Sequence, residues 1–288
     1  MKALKLLIHS NIYISLAAVA LTLATQIQLD MELQWHPYLF LIFFATLFEY
    51  NLHRLITILT NRDALKSEKH SWVSGNLNLF YLLMLFSVLG FLIAVFNAKL
   101  RVLLTLAPIA GLTLFYSTPI SKGVKGLFRL RQIPFLKIFL IAFVWSSVTI
   151  LLPVMYSDIH YNAWHIILMI TERFLFIFAI TIPFDIRDME VDRLSGLQTI
   201  PLQIGVEKSL FVGGTSLVVF WVVSTIHYMV MGQVFLVFAY SLTFAVTLVC
   251  LLNRKIQKYP LYHYAVLDGT MLLLGLLVIG FHYLDIII

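Results

Sequence analysis

The chain reads Asp185-Ile-Arg-Asp188-Met-Glu-Val-Asp192-Arg-Leu-Ser-Gly-Leu-Gln-Thr-Ile-Pro201 at the point where a strongly apolar segment meets a basic loop. Asp185, Asp188 and Asp192 are spaced i, i+3 and i+7, so on a helix they lie on one face. Three carboxylates this close repel one another unless a cation lies among them. One interpretation is a hard divalent ion such as Mg2+, which commonly also holds substrate phosphates. The other is a solvated acidic helix end, neutralised by Arg187 and Arg193.

The composition predicts a membrane protein. Of the 288 residues, 61% are hydrophobic and the mean hydropathy is +0.94, which excludes an ordinary soluble globular protein. Apolar runs of about 18 residues or more are candidate transmembrane helices. Nine such runs predict an all-α, polytopic membrane protein with one integral domain over residues 1–288. They lie at 6–28, 37–59, 77–96, 101–118, 134–156, 164–184, 209–230, 233–252 and 263–284.

The basic residues predict the orientation of these runs. Lys2 and Lys5 precede the first run, and the loops after the second, fourth, sixth and eighth runs hold most of the other lysines and arginines. The remaining loops are nearly bare of positive charge. The positive-inside rule therefore predicts a cytoplasmic N-terminus, and with nine crossings the C-terminus lies outside. The protein is expected in the cell membrane, in contact with its lipids. The net charge of +6 follows from this asymmetry and does not indicate a nucleic-acid partner.

The acidic stretch, continued by Gly196 and Pro201, resembles the second aspartate-rich motif of the UbiA-type intramembrane prenyltransferases. That family has nine transmembrane helices, and its motif follows the sixth one on the cytoplasmic side. Tyr116-Ser117, at the end of the fourth apolar run, is similar to the family's Tyr-Ser pair at that place. The resemblance implies Mg2+ as cofactor, with Asp185, Asp188 and Asp192 as the ligands of a single ion. It also implies that Tyr116 and Arg193 are among the substrate-binding residues.

The first aspartate-rich motif of the family, Asn-Asp-x-x-Asp-x-x-x-Asp, has lost its carboxylates in this chain. In the family the two motifs together hold two magnesium ions that bridge the diphosphate of an isoprenyl donor. The corresponding stretch here begins at Asn51, and the three aspartates are replaced by Leu52, Leu55 and Leu59. Because leucine cannot ligate magnesium, the two-metal site is not carried over to this sequence.

Three functions remain open after this loss. In the first, the chain is a divergent prenyltransferase that binds an isoprenyl diphosphate with one metal ion. Asn51, His53 and Arg54 would help to bind the diphosphate, and arginine in particular suits phosphate oxygens. Alternatively, it is a non-catalytic relative that binds an isoprenoid lipid. The third possibility is a structural or partner-binding membrane protein. The acceptor, the donor chain length and the catalytic residues are not indicated by the sequence.

Ionisable residues inside the apolar runs are a further feature, because such groups are costly in a membrane and usually face a cavity or a partner. Glu49 lies in the second run, and Glu172 and Arg173 lie in the sixth. If these two helices face each other, an ion pair between Glu49 and Arg173 is expected, either as a structural pair or as a polar wall of the cavity.

Overall fold

The computed structural model of the chain describes residues 2–60, 68–117, 121–123, 126–128 and 133–287. Within these ranges the chain forms thirteen α-helices, one π-helical turn and one short antiparallel hairpin, so the predicted all-α class is confirmed. The elements are α1 (Lys2–His9), α2 (Ile12–Gln28), α3 (Pro37–Thr60), α4 (Glu68–Gly75), α5 (Leu77–Phe96), α6 (Leu100–Ser117), β1 (Ser121–Gly123), β2 (Gly126–Phe128), α7 (Leu136–Tyr156), α8 (Ala163–Leu194), α9 (Ile200–Ile204), α10 (Val206–Val230), α11 (Val234–Leu252), α12 (Arg254–Gln257), the π-helical turn (Tyr262–Leu267) and α13 (Asp268–Ile287).

Seven of the described helices are long and apolar enough to cross a membrane: α3, α5, α7, α8, α10, α11 and the last helix with its π-helical turn. The other two predicted runs, 6–28 and 101–118, correspond to the shorter apolar helices α2 and α6. The first run is interrupted at Asn11, which adopts a left-handed conformation (φ 64°) between α1 and α2. The count of nine crossing helices therefore stays a prediction, whereas a multi-pass helical membrane protein is what the fold shows.

Helix α2 lies at the centre of the bundle and packs against α3, α7 and α13. Its position explains its composition, because Ala17, Ala18, Ala20 and Ala24 are buried and allow neighbouring helices to approach closely. The larger apolar core is formed with α7, α8, α10, α11 and α13, and a smaller core lies towards α3, α5 and α6. This arrangement brings α8, which carries the acidic stretch, between α7 and α10.

The contact between α13 and α2 depends on Gly275. A Cβ atom at this position would lie 2.6 Å from both the carbonyl carbon and the carbonyl oxygen of Ala20. These are backbone atoms of a buried helix, so a side chain at 275 fits only if the two helices separate.

Replacing Gly275 with alanine is expected to destabilise the folded protein by about 1–3 kcal/mol, the usual cost of overpacking. Thermal unfolding in detergent measures the loss. Gly280→Ala on the same helix is the matched control, because a Cβ at 280 meets no atom within 4 Å. Equal unfolding temperatures for the two variants would show that the helices are not in this close contact.

The expected ion pair between Glu49 and Arg173 is wrong, because the buried Arg173 is held by another set of partners. Its guanidinium faces α2 and α7 rather than α3. Nη1 donates to the carbonyl of Leu21 at 2.9 Å, to the hydroxyl of Thr25 at 2.9 Å and to that of Thr149 at 3.1 Å, and Nη2 donates to Gln28 Oε1 at 2.7 Å.

Glu172 is fully buried beside Arg173 and belongs to the same polar network. Its Oε1 lies 2.5 Å from Nδ1 of His227, and its Oε2 accepts a hydrogen bond from the hydroxyl of Tyr228 at 3.0 Å. Nε2 of His227 lies 2.8 Å from Nδ1 of His165. The carboxylate of Glu172 and the terminal nitrogens of Arg173 therefore have polar partners, as a low-dielectric interior requires.

Candidate functional site

The acidic motif is a direct continuation of a membrane-spanning helix. Helix α8 runs without interruption from Ala163 to Leu194, so the three aspartates keep the helical spacing predicted for them. The helix ends at Ser195, and Gly196 follows with φ 70°, the left-handed conformation that glycine adopts at little cost. The N–H of Leu197 donates to the carbonyl of Asp192 at 2.9 Å, which closes the last turn.

Lys137 lies between two of these aspartates. Its Nζ is 2.8 Å from Oδ1 of Asp185 and 3.0 Å from Oδ2 of Asp192. The carboxylate of Asp185 is 1% exposed and that of Asp192 8%, while the lysine side chain is 18% exposed. Removing a carboxylate from water costs several kcal/mol, so two buried carboxylates are tolerated only with a cation close by. Here the side chain of Lys137 supplies that cation.

The start of α7 fixes the position of this lysine. Phe135 precedes the helix in a left-handed conformation (φ 63°), and its N–H donates to the carbonyl of Gln198 at 2.9 Å. That hydrogen bond ties the first turn of α7 to the loop that follows α8. Because α7 and α8 form an antiparallel pair, the first turn of one lies beside the last turns of the other.

The third aspartate of the motif has a different partner. Asp188 accepts two hydrogen bonds from Arg187, from Nε at 2.7 Å and from Nη2 at 2.9 Å. The guanidinium carbon of Arg187 also lies 5.2 Å from the ring centroids of Phe184 and Tyr264, within the range of cation–π contacts. The three carboxylates are thus met by two side-chain cations.

The π-helical turn before α13 forms the neighbouring wall of the site. Nε2 of His263 lies 3.2 Å from the carbonyl oxygen of Pro183, two residues before the acidic motif. The hydroxyl of Tyr13 on α2 donates to the carbonyl of Ala265 at 3.1 Å. Asp268 interacts electrostatically with Arg187, so a fourth carboxylate belongs to the surroundings of the motif.

At the position of the missing first motif, Asn51 and Arg54 are buried and have structural partners. Asn51 accepts a hydrogen bond from Nδ2 of Asn11 at 2.8 Å and donates to the carbonyl of Ser10 at 3.2 Å. Nη1 of Arg54 donates to the carbonyl of His9, and Nη2 donates to Oδ1 of Asn11. Both residues therefore hold the junction of α1 and α2, and the described partners of Arg54 use both of its terminal nitrogens.

The other predicted site residues are distributed around these two groups. Leu52 and Leu55 are half-buried on α3, and His53 is exposed on the same helix. Arg193 is exposed in the last turn of α8. The side chains of Leu59 and Tyr116 lie outside the part of the chain that the structure describes, although both residues belong to helices. The roles predicted for them in substrate binding stay predictions.

The donor set does not fit a divalent ion in the observed arrangement. Among the described residues, no group of three His, Cys, Asp or Glu side chains converges on one point. Asp185 and Asp192 do share such a point, but Nζ of Lys137 occupies it, and Asp188 turns to Arg187 instead. The assignment of all three aspartates as Mg2+ ligands stays a prediction, and a divalent ion that bound there would displace the lysine.

Lys137 is the residue that the sequence analysis missed. It lies inside the predicted run 134–156, three residues after its start. A lysine within an apolar run is costly for the same reason as Glu49, so the rule on ionisable residues in membranes contained the signal. Its partners, however, lie 48 and 55 residues further along the chain, and no spacing rule connects them.

Comparison with known proteins supports one family. The model of the UbiA prenyltransferase family matches residues 60–262, a match that begins directly after Leu59. No curated protein sequence matches the chain. Two solved structures share the fold. The apo structure of a UbiA homolog from Aeropyrum pernix K1 is 14% identical, with a TM-score of 0.63 over 94% of this chain and 98% of that one. A structure described as giving insights into the biosynthesis of digeranylgeranylglyceryl phosphate synthase in membranes is 16% identical, with a TM-score of 0.55 over 98% of both chains.

Proposed function

The chain belongs to the UbiA prenyltransferase family, and on that premise we propose that it is a divergent prenyltransferase, which transfers an isoprenyl group from an isoprenyl diphosphate to an acceptor. One observation carries the proposal: the second acidic motif keeps its three carboxylates on one face of α8, at the end of a membrane-spanning helix and among cationic side chains. Clusters of ionisable residues at membrane-spanning helices are rare and commonly mark a site that binds a ligand or an ion.

The chemistry of the donor explains why cations are needed at such a site. When the bond between the isoprenyl group and the diphosphate breaks, negative charge grows on the leaving diphosphate, and fixed cations stabilise that charge. UbiA enzymes generally use Mg2+ for this purpose. In this chain Asp185, Asp188 and Asp192 would hold the ion only after Lys137 has left the position between Asp185 and Asp192. Lys137 and Arg187 are the protein's own cations beside the motif.

A non-catalytic isoprenoid-binding protein is the second candidate. It is favoured by the first motif, where leucines replace the carboxylates and where Asn51 and Arg54 are engaged with the α1–α2 junction. In that case the isoprenoid binds without turnover, and its lipid tail lies among the apolar helices. A purely structural role is the third candidate and predicts no binding of isoprenoids at all.

We expect that changing Asp185 and Asp188 together to asparagine weakens the binding of an isoprenyl diphosphate by about tenfold or more, the effect of about 1.4 kcal/mol. Asparagine neither ligates Mg2+ as a carboxylate does nor holds Lys137 and Arg187 in place, so the diphosphate loses cationic partners in either case. Binding and release of diphosphate are measured with purified protein in nanodiscs, with Mg2+ and donors of several chain lengths.

Glu190→Gln is the matched control, because Glu190 lies on the same helical turn but is exposed. Undiminished binding in the double variant would reject the site. Tight binding by the parent protein without any diphosphate release would favour the non-catalytic candidate, and absence of binding with every donor would leave the structural role.

The proposed orientation has the N-terminus in the cytoplasm and the C-terminus outside. It is supported by Lys99 and Arg101, the two cations of the supposed outer loops, which both bind Asp158 in another of those loops. Hydrogen bonds from Arg101 and Lys99 lower the pKa of the Asp158 carboxyl, so it stays ionised and neutralises one of these two positive charges. A cysteine introduced at Lys255 is expected to be labelled only from the cytoplasmic side of sealed vesicles, and labelling from outside would reject the orientation.

A further inference from the structure

We propose that the ammonium group of Lys137 occupies the cation position of the acidic motif, so that Lys137 competes with divalent metal ions for Asp185 and Asp192 and sets the metal affinity of the site. The inference rests on the proposed function only in placing the site at this motif. It concerns the free protein and does not require that the chain be catalytic.

The geometry of the lysine is that of a bound cation rather than of a surface ion pair. Its Nζ has carboxylate oxygens of two residues at 2.8 and 3.0 Å, and those residues are one full heptad apart on α8. Exposed ion pairs hold one partner loosely and contribute little. Here both carboxylates are nearly inaccessible to water, so each needs a fixed positive charge close by.

These charges lie where they destabilise the helices that carry them, as the direction of each helix dipole shows. Lys137 lies in the first turn of α7, where the helix dipole disfavours a cation. Asp192 lies in the last turn of α8, where the dipole disfavours an anion. Each residue is therefore at the unfavourable end of its own helix, and the contact between the two offsets both costs. The contact between Lys137 and the motif, and not the stability of either helix by itself, therefore accounts for the position of the lysine.

A divalent ion and the ammonium group need the same oxygens. Mg2+ binds carboxylate oxygens at about 2.0–2.1 Å and requires near-octahedral coordination. The space between Asp185 and Asp192 holds a cation about 3 Å from each oxygen, which suits an ammonium group. A metal ion enters only when the lysine side chain leaves. The free energy lost by breaking the two ion pairs therefore makes the free energy of metal binding less favourable.

The test is metal binding by the purified full chain in nanodiscs, with Mn2+ as the probe and electron paramagnetic resonance as the readout. We expect Lys137→Met and Lys137→Gln to bind Mn2+ at least ten times more tightly than the parent protein. Lys137→Arg keeps the charge and is expected to behave like the parent. The double variant Lys137→Met/Asp185→Asn is expected to lose the gain, because one of the freed oxygen ligands is removed.

Equal Mn2+ affinity in the parent and in Lys137→Met would overturn the proposal, and so would a lower affinity in the variant, since the lysine would then support the metal. If neither neutral variant folds, thermal unfolding of the parent protein is measured over a series of Mg2+ concentrations. An unchanged unfolding temperature at micromolar Mg2+ supports the proposal, because the lysine still occupies the carboxylates. A rise that is already complete at micromolar Mg2+ and that Asp185→Asn/Asp188→Asn abolishes rejects it, because the lysine would then not weaken metal binding. Failure to bind isoprenyl diphosphates would reject the proposed function but leave these metal measurements valid.

Discussion

Replacing Arg173 with methionine is expected to destabilise the folded protein by about 3–5 kcal/mol, the usual cost of removing one partner from a buried charged network. Arg173 is 2% exposed, and its guanidinium joins α8 to α2 and α7. Methionine leaves Gln28 Oε1 without this donor and removes one of the positive charges that stabilise the buried carboxylate of Glu172. The helices around α2 would then enclose polar groups that no water reaches.

The measurement is thermal or denaturant unfolding of the purified protein in detergent, together with the yield of folded protein from membranes. Arg254→Met is the matched control, because the side chain of Arg254 is 84% exposed and the same substitution there removes only a surface contact. A stability of Arg173→Met equal to that of the control would show that the network around Arg173 does not hold the bundle together.

Restoring aspartate at Leu52 and Leu55 is expected to raise magnesium-dependent cleavage of an isoprenyl diphosphate by about 100-fold or more. A metal ion on the restored carboxylates would stabilise the leaving diphosphate, an effect often worth several kcal/mol, and about 1.4 kcal/mol corresponds to a tenfold change in rate. Both leucines are half-buried, so the new carboxylates ionise only if a metal ion or another cation accompanies them.

The assay compares the parent protein with Leu52→Asp/Leu55→Asp in excess Mg2+, with donors of several chain lengths. Leu52→Asn/Leu55→Asn is the control, since it introduces polarity without charge and should leave the rate unchanged. High activity in the parent that the aspartates do not increase would show that the remaining motif and its cations suffice. No cleavage by a well-folded aspartate variant would favour the binding or structural role.

The features that were predictable from the sequence are local ones. The spacing of Asp185, Asp188 and Asp192 required only that the residues be helical, and α8 is helical through all of them. The apolar runs predicted the class of protein because the thickness of a bilayer sets the length of a spanning helix. Even here local conformation intervened, since the left-handed Asn11 divides the first run into two helices.

The partners of the charged residues were not predictable in this way. The predicted binding of diphosphate by Arg54 stays a prediction, but its observed partner, the carbonyl of His9, lies 45 residues earlier in the chain and no spacing rule indicated it. Arg173 was expected to pair with Glu49 and instead binds α2 and α7. In each case the sequence singled out the residue, while its partners depended on the direction in which the helix face points.

The sequence by itself determined the helical membrane architecture, the family and the acidic face of α8, because hydropathy and helical period act over neighbouring residues. Only the tertiary structure decided which cation serves that face. Lys137 and Asp192 are 55 residues apart, and they meet because α7 and α8 pack antiparallel with the start of one tied to the loop after the other. Such a contact is determined by how whole helices pack and rotate against each other. A buried carboxylate has no water to solvate it, so it needs a cation from another helix.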